Sequence, residues 1–298
     1  MTVRRGRGFA SVGSIVAVLA ALSAAFPLTL RAQSGVPMAP DSSARNDSGT
    51  TGGTATAHPL FSRRDAWVAL GFTAATAAAL PLDQMVAHNL QLPQNQREPG
   101  LVRASTVFRD LADPGTVYIG SGMYLAGRLF GNQTLTDMGL HASEALVVAS
   151  AAGFVLKGAI GRPLPRQANA DADSYRFGRG IRVDGNWQAF PSGHTLAAFS
   201  IASAVTAEAF DRWPAHARWV GVLTYSAAAA SGVSRLYNNA HWVSDIIFGA
   251  GIGIFSGIKT VQYEHAHPGD WLNRVLAHAS VAPNPKRGAT VGFSFEQF

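Results

Sequence analysis

From Asp65 onward, apolar residues fall in runs over roughly 66–82, 115–130, 139–157, 194–210, 217–230 and 245–258. The runs are rich in Ala, Gly, Val, Ile and Leu, and none keeps up the alternation of a half-buried strand, so each predicts a helix. Pro and Gly mark the joints, as at Asp113-Pro114-Gly115 and Gly161-Arg162-Pro163. The expected fold is all-α, a compact bundle of about six core helices occupying 63–265. The stretch 83–113 is more polar, with a turn over Gln94–Pro99 and a short amphipathic helix near Leu101–Leu111. The loop 161–190 is long and polar, a type that is often functional. In the tail, 266–298, the alternation from Ala289 to Phe295 fits one short strand.

The amino terminus has a different pattern. Arg4-Arg5-Gly6-Arg7 precedes an apolar run from Phe9 to about Leu30, which closes at Arg31-Ala32-Gln33. A basic start, an apolar middle and a small residue at the end make residues 1–32 a signal peptide, with an uncleaved anchor helix as the competing reading. Either way the chain is expected to be exported or inserted into a membrane. Residues 33–62 are rich in Ser, Gly, Thr, Asp and Pro and read as a disordered linker.

Composition narrows the class. Apolar residues make up 47% and charged residues 14% of the 298, against about 25% charged in an ordinary soluble domain. That deficit fits a helical membrane protein or an unusually apolar soluble bundle. Small residues serve close helix approach in both. If all six helices spanned, the loop 161–190 would face the cytoplasm, on the wrong side for an exported enzyme. The soluble-periplasmic and membrane-embedded forms therefore both stay open. Cysteine is absent, which excludes disulfides and thiolate chemistry. The formal charge of +6 resides largely in the leader, and without 1–32 the chain holds 20 basic and 18 acidic residues. Lysine occurs at 157, 259 and 286 alone, so no clustered basic footprint for nucleic acid exists.

Three polar clusters sit at the ends of apolar helices. The first is Lys157 with Gly161-Arg162-Pro163-Leu164-Pro165-Arg166; the second is Pro191-Ser192-Gly193-His194; the third is Ser234-Arg235, then His241 and Asp245. His241 and Asp245 are four apart and would share a helix face. The carboxylate can then fix the imidazole tautomer and leave the other ring nitrogen as a nucleophile. Ser192 and Gly193 open a helix, where free N–H groups and the dipole favour an anion. Arg235 can grip phosphate oxygens, Lys157 adds a point charge, and His194 can protonate a leaving oxygen. Each has an ordinary reading alone: a core histidine, a helix cap, a snorkelling lysine. Their ordered recurrence at helix ends favours the phosphate cradle. His88, His141 and Glu144 fit no motif and read as hydrogen-bonding residues inside the bundle. Asp171, Asp173, Tyr175 and Arg176 lie in the long loop and could shape substrate choice.

The second and third clusters resemble the type-2 phosphatidic acid phosphatase and vanadium haloperoxidase superfamily, through Pro-Ser-Gly-His at 191–194 and Ser-Arg-x5-His-x3-Asp at 234–245. The resemblance spans roughly 65–265. It implies a phosphatase acting on phosphate monoesters or lipid phosphates. His241 would attack phosphorus, Asp245 would orient it, and His194 would serve as acid and then base. Lys157, Arg235, Ser192 and Gly193 would hold the phosphate, and no metal or other cofactor is required. The first motif, Lys-x6-Arg-Pro in the family, departs here because Leu164 stands where the arginine belongs. Arg162, and less directly Arg166, are candidates to replace it. That departure keeps open a non-catalytic phosphate- or lipid-binding protein, and the shared cradle keeps open a vanadate-dependent haloperoxidase.

Overall fold

The computed structural model describes residues 60–182, 185–267, 279–284 and 288–293. The leader expected over 1–32 and the linker up to residue 59 lie outside the described residues, as does most of the tail. The helices are α1 Arg63–Ala79, α2 Asp83–Leu90, a single turn α3 Pro93–Gln96, α4 Pro99–Ala112, α5 Gly115–Phe130, α6 Gln133–Ile160, α7 Gly193–Arg212, α8 Ala217–Tyr237 and α9 Val243–Ala266. The short strands β1 Ala279–Asn284 and β2 Gly288–Phe293 pair antiparallel, with Val281 opposite Val291. The alternation read in the tail thus falls in β2, while β1 had no comparable sequence signal.

Several helices outrun the apolar runs that announce them, because caps rather than hydrophobicity set their ends. Ser62 and Asp65 form a reciprocal capping box at the start of α1. The Asn132 side chain accepts from Leu135 N at 3.0 Å and starts α6 six residues ahead of its apolar run. Gly161 ends α6 in the left-handed conformation, φ +59.

The central helix is α7, buried along most of its length and enclosed by α6, α8 and α9. Outside these, α5 packs on α6, α1 on α9 and α4 on α8. A tight seam joins α7 and α9. Gly249, Gly253 and Gly257 recur every four residues on one face of α9 and lie against Ser192, Leu196–Ser200 and Ser203 of α7. A methyl group on Gly253 would collide with the Leu196 carbonyl, and one on Gly257 would come within 2.6 Å of the Ser200 carbonyl. The backbones meet because nothing stands between them. This seam fixes the start of α7 against the start of α9, the two places where His194 and Asp245 sit.

The outer surface is unusually apolar. Trp67 on α1, Tyr118 and Phe130 on α5, Val147 and Phe154 on α6 and Trp219 on α8 are all well exposed. Three helical segments, Arg63–Leu90, Gln133–Ile160 and Val243–Ala266, are long and apolar enough to cross a membrane by length and composition.

The seam predicts a contrast between two glycines. Gly253→Ala should destabilise the protein by about 1–3 kcal/mol, the cost of overpacking against backbone. Gly122→Ala, in α5 with nothing within 4 Å of the new methyl, should be neutral or stabilise by up to about 1 kcal/mol. Thermal unfolding of the purified variants in detergent checks both.

Candidate active site

Four helix ends meet at one end of the bundle. They are the last turn of α6 with Lys157, the first turn of α7 with Ser192, Gly193 and His194, the last turn of α8 with Arg235, and the entrance to α9 with His241 and Asp245. His194 lies within electrostatic reach of Arg235, His241 and Lys157, so the three sequence clusters converge on one place.

His241 is held differently from the sequence expectation. It precedes Trp242, the N-cap of α9, so it does not share a helix face with Asp245. Its Nδ1 lies 2.7 Å from the Ala189 carbonyl oxygen and 3.7 Å from Asp245 Oδ2. A carbonyl only accepts, so Nδ1 carries the proton and Nε2 keeps its lone pair. The longer distance is too great for a hydrogen bond. The orienting acceptor is therefore a backbone carbonyl of the long loop, and Asp245 acts on the ring through its charge. Burial, assisted by the Lys157 and Arg235 charges and opposed by Asp245, pushes the His241 imidazole down to about 4. The ring is neutral at neutral pH.

Asp245 has a structural task as well. Its Oδ2 accepts from Trp242 N at 2.8 Å and its Oδ1 from Arg162 Nη1 at 2.5 Å. This corrects the assignment of Arg162 to the phosphate. The Arg162 side chain is completely buried. Its Nε and Nη2 donate to the Ala172 carbonyl at 2.9 and 2.7 Å. Nη1 also reaches Ser244 Oγ and Nη2 reaches Asp83 Oδ2, each at 2.7 Å. A guanidinium has five N–H donors, and all five are engaged by protein. Arg162 cannot replace the arginine missing at 164. Leu164 itself is buried against Ala172, Ala189 and Trp242, and Arg166 is exposed.

Arg235 is the opposite case. It is buried, yet its Nε and Nη1 have no hydrogen-bond partner among the described residues. Leaving a buried cation unsatisfied is costly, and these nitrogens lie among other positive groups with donors free for an acceptor. Lys157 Nζ donates to the Gln188 carbonyl at 2.6 Å, one of its three donors. Ser192 departs from a purely phosphate-gripping role. It is fully buried, its hydroxyl accepts from Thr195 N at 3.4 Å and Thr195 Oγ1 at 2.8 Å, and its own N–H goes to the Asp245 carbonyl at 3.1 Å. The first-turn N–H groups of Gly193 and His194, which have no partner inside their helix, are the ones presented at this end. Gly193 faces Lys157, whose Cε would be 3.5 Å from an added methyl.

Several contributors carried no sequence signal. Ala189 acts through its carbonyl. Asp83, at the start of α2, is a lone carboxylate far upstream, yet it accepts from Ser244 N, Ser244 Oγ and Arg162. Arg109 on α4 lies within reach of both Arg235 and His194, Arg166 within reach of Arg235, and Asp113 Oδ2 is 3.9 Å from His194 Nε2. Helix α4 thus edges the site, which its amphipathic pattern alone did not reveal.

These assignments separate by stability without any ligand. Arg162→Met strands two buried carboxylates and should cost about 3–5 kcal/mol. Arg235→Met removes a buried charge whose Nε and Nη1 have no hydrogen-bond partner among the described residues and should leave the unliganded protein at least as stable as the wild type. Denaturation of detergent-solubilised protein in phosphate-free buffer measures both.

Comparison with known proteins bears on the family and the fold. Residues 139–267 match the sequence model of the PAP2 superfamily, a range that holds Lys157, His194, Arg235, His241 and Asp245. A lipid A 1-phosphatase of Porphyromonas gingivalis is 37% identical over 113 residues, which are 38% of this chain and 22% of that relative, about a fifth of its length. The crystal structure of a transmembrane PAP2-type phosphatidylglycerolphosphate phosphatase from Bacillus subtilis superposes with a TM-score of 0.50 at 20% identity, over 68% of this chain and 97% of that one. A crystal structure of Aquifex aeolicus LpxE gives a TM-score of 0.44 at 22% identity, over 61% and 96%. With its helical fold and its motifs gathered at one end of the bundle, the chain is similar, over residues 139–267, to the PAP2 superfamily.

Proposed function

We propose that this protein is a membrane-associated lipid-phosphate phosphatase that hydrolyses a phosphate monoester through a phosphohistidine at His241, without a catalytic metal. The observation that carries the reading is Arg235, buried with two unpartnered guanidinium nitrogens beside Lys157, His194 and His241. A phosphate dianion is the ligand whose charge and acceptor geometry answer that arrangement. The apolar exterior and the three span-length helices favour a substrate held in a membrane, and the lipid A 1-phosphatase relative points to the same class.

In this mechanism Arg235, Lys157 and the Gly193 and His194 N–H groups bind the phosphate oxygens. The Ala189 carbonyl aims Nε2 of neutral His241 at phosphorus. Nε2 forms a P–N bond while the P–O bond to the leaving alcohol breaks, and His194 donates the proton that the alkoxide takes up. Water then attacks phosphorus, His194 takes its proton, the P–N bond breaks and inorganic phosphate leaves. Charge accumulating on the equatorial oxygens is met by fixed cations already in place, the principal electrostatic contribution to the rate.

Leu164 supports a second reading, a phosphate- or lipid-binding protein without turnover, because no cation occupies its position and Arg162 is committed elsewhere.

Phosphate release from phosphatidic acid, from lipid A and from an aryl phosphate, measured on the detergent-solubilised chain with chelator present, tests the proposal. Turnover should persist with chelator and be lost in His241→Ala. Arg235→Ala should lose about 1.5–3 kcal/mol of transition-state stabilisation, roughly 10- to 150-fold in kcat/KM. Tight binding of a lipid phosphate with no release, and release created by Leu164→Arg, would favour the second reading.

A further inference from the structure

A second cluster of metal-ligating side chains lies at the other end of the bundle. His141 comes from the early part of α6, Glu208 from the end of α7 and His265 from the end of α9. At 1.5 Å per residue, Glu208 is about 20 Å along α7 from His194, so the cluster is separate from the phosphate site. One ligand atom of each of the three lies within 4.8 Å of the others. His141 Nδ1 is 2.6 Å and His265 Nε2 is 2.8 Å from the same oxygen, Glu208 Oε1. The other oxygen, Oε2, is equally buried and has no hydrogen-bond partner among the described residues, only an ion pair to Arg212 Nε at 3.8 Å. Two imidazoles therefore crowd onto one carboxylate oxygen while its twin takes no hydrogen bond from them.

We infer that His141, Glu208 and His265 form a binding site for one borderline divalent cation of the Zn2+ type, clamping α6, α7 and α9 together at the end of the bundle opposite the phosphate site. Two imidazoles and a carboxylate are a ligand set zinc accepts; tetrahedral bonds of about 2.0–2.2 Å set donor atoms about 3.3 Å apart, so an ion would open the 2.6 and 2.8 Å contacts to Glu208 Oε1 slightly and keep the three ligand atoms within the 4.8 Å they already share. The surroundings suit the charge. Glu208 is completely buried, and Glu144 and Glu264 also offer carboxylate oxygens beside His141. Asp211 Oδ2 lies 3.1 Å from His265 Nδ1, the outer carboxylate that typically fixes a metal-bound imidazole. His265 and Asp211 are partly exposed, which gives an ion a route in from solvent.

The test uses the full chain in detergent, stripped with chelator and then titrated with Zn2+ alone. The His194→Ala/His241→Ala protein serves as the starting background, so that uptake at the phosphate site is excluded. One equivalent should bind and raise the thermal midpoint, and Co2+ in its place should show the intense visible bands of a low-coordinate site. His141→Ala, His265→Ala and Glu208→Gln should each lose that equivalent. The last keeps the side-chain shape, so it serves if a histidine variant does not fold. No uptake by the background protein, uptake unchanged in Glu208→Gln, or only the weak spectrum of octahedral Co2+ would overturn the inference. Because the clamp is remote from the chemistry, chelation should lower the thermal midpoint while leaving the rate per folded molecule unchanged. A phosphatase that failed the turnover test would not alter the zinc stoichiometry.

Discussion

The buried Arg162 guanidinium, shared between Asp83 and Asp245, is the interaction on which the active end is built. It joins three stretches of chain, the start of α2, the loop after α6 and the first turn of α9. Such a group is stable only when every donor is met, and here Ala172 and Ser244 take the donors that the two carboxylates leave. Tyr175 and Trp242 stack over it at 5.2 and 5.6 Å. The consequence reaches His241, the proposed nucleophile, in two steps. Asp245, pinned by Arg162, caps Trp242 N. The loop, pinned at Ala172 and by the Ala189 N–H to the Arg162 carbonyl at 3.0 Å, presents the Ala189 carbonyl to His241. Removing the arginine would loosen the nucleophile without touching it.

The two buried arginines divide the work of the site. Arg162 is saturated and rigid, and Arg235 is buried and unsatisfied. The first spends its donors on architecture, and the second keeps two for a ligand. The missing cation at Leu164 is thereby not made good from within the first motif. Positive charge arrives instead at the rim, from Arg109 on α4 and from the exposed Arg166. In the proposed reaction, the balance between a buried grip and a rim grip governs which phosphate esters are held strongly enough to react.

Much of this was legible in the sequence, for identifiable reasons. The six apolar runs became α1 and α5 to α9 because a helix that is apolar on most of its faces needs little else to announce it. Ser192 marked a cap, a local property of the chain, and the small residues of the runs allowed a close seam without saying where it lies. The motif residues Lys157, Gly193, His194, Arg235, His241 and Asp245 converge because the helix ends that carry them converge. What was not legible is long-range or made of backbone. The donor count of Arg162 depends on Asp83, some eighty residues upstream, and on a carbonyl at Ala172. Spacing alone put His241 and Asp245 on a helical face, but α9 begins after Trp242, so the expected hydrogen bond went to Ala189 instead. His141 was expected to bond within the bundle and does, to Glu208. That the partner is shared with His265 could not be seen without the third dimension.

The central claim is that His241 is the group that takes the phosphoryl. Rapid acid-free quenching of the detergent-solubilised protein during turnover of a 32P-labelled lipid phosphate, followed by peptide mapping, tests it most directly. The account predicts an acid-labile, base-stable label on the peptide containing His241. That label should be absent from His241→Ala and should accumulate when His194→Ala slows its hydrolysis. Turnover with no trapped label, together with activity retained in His241→Ala, would contradict it.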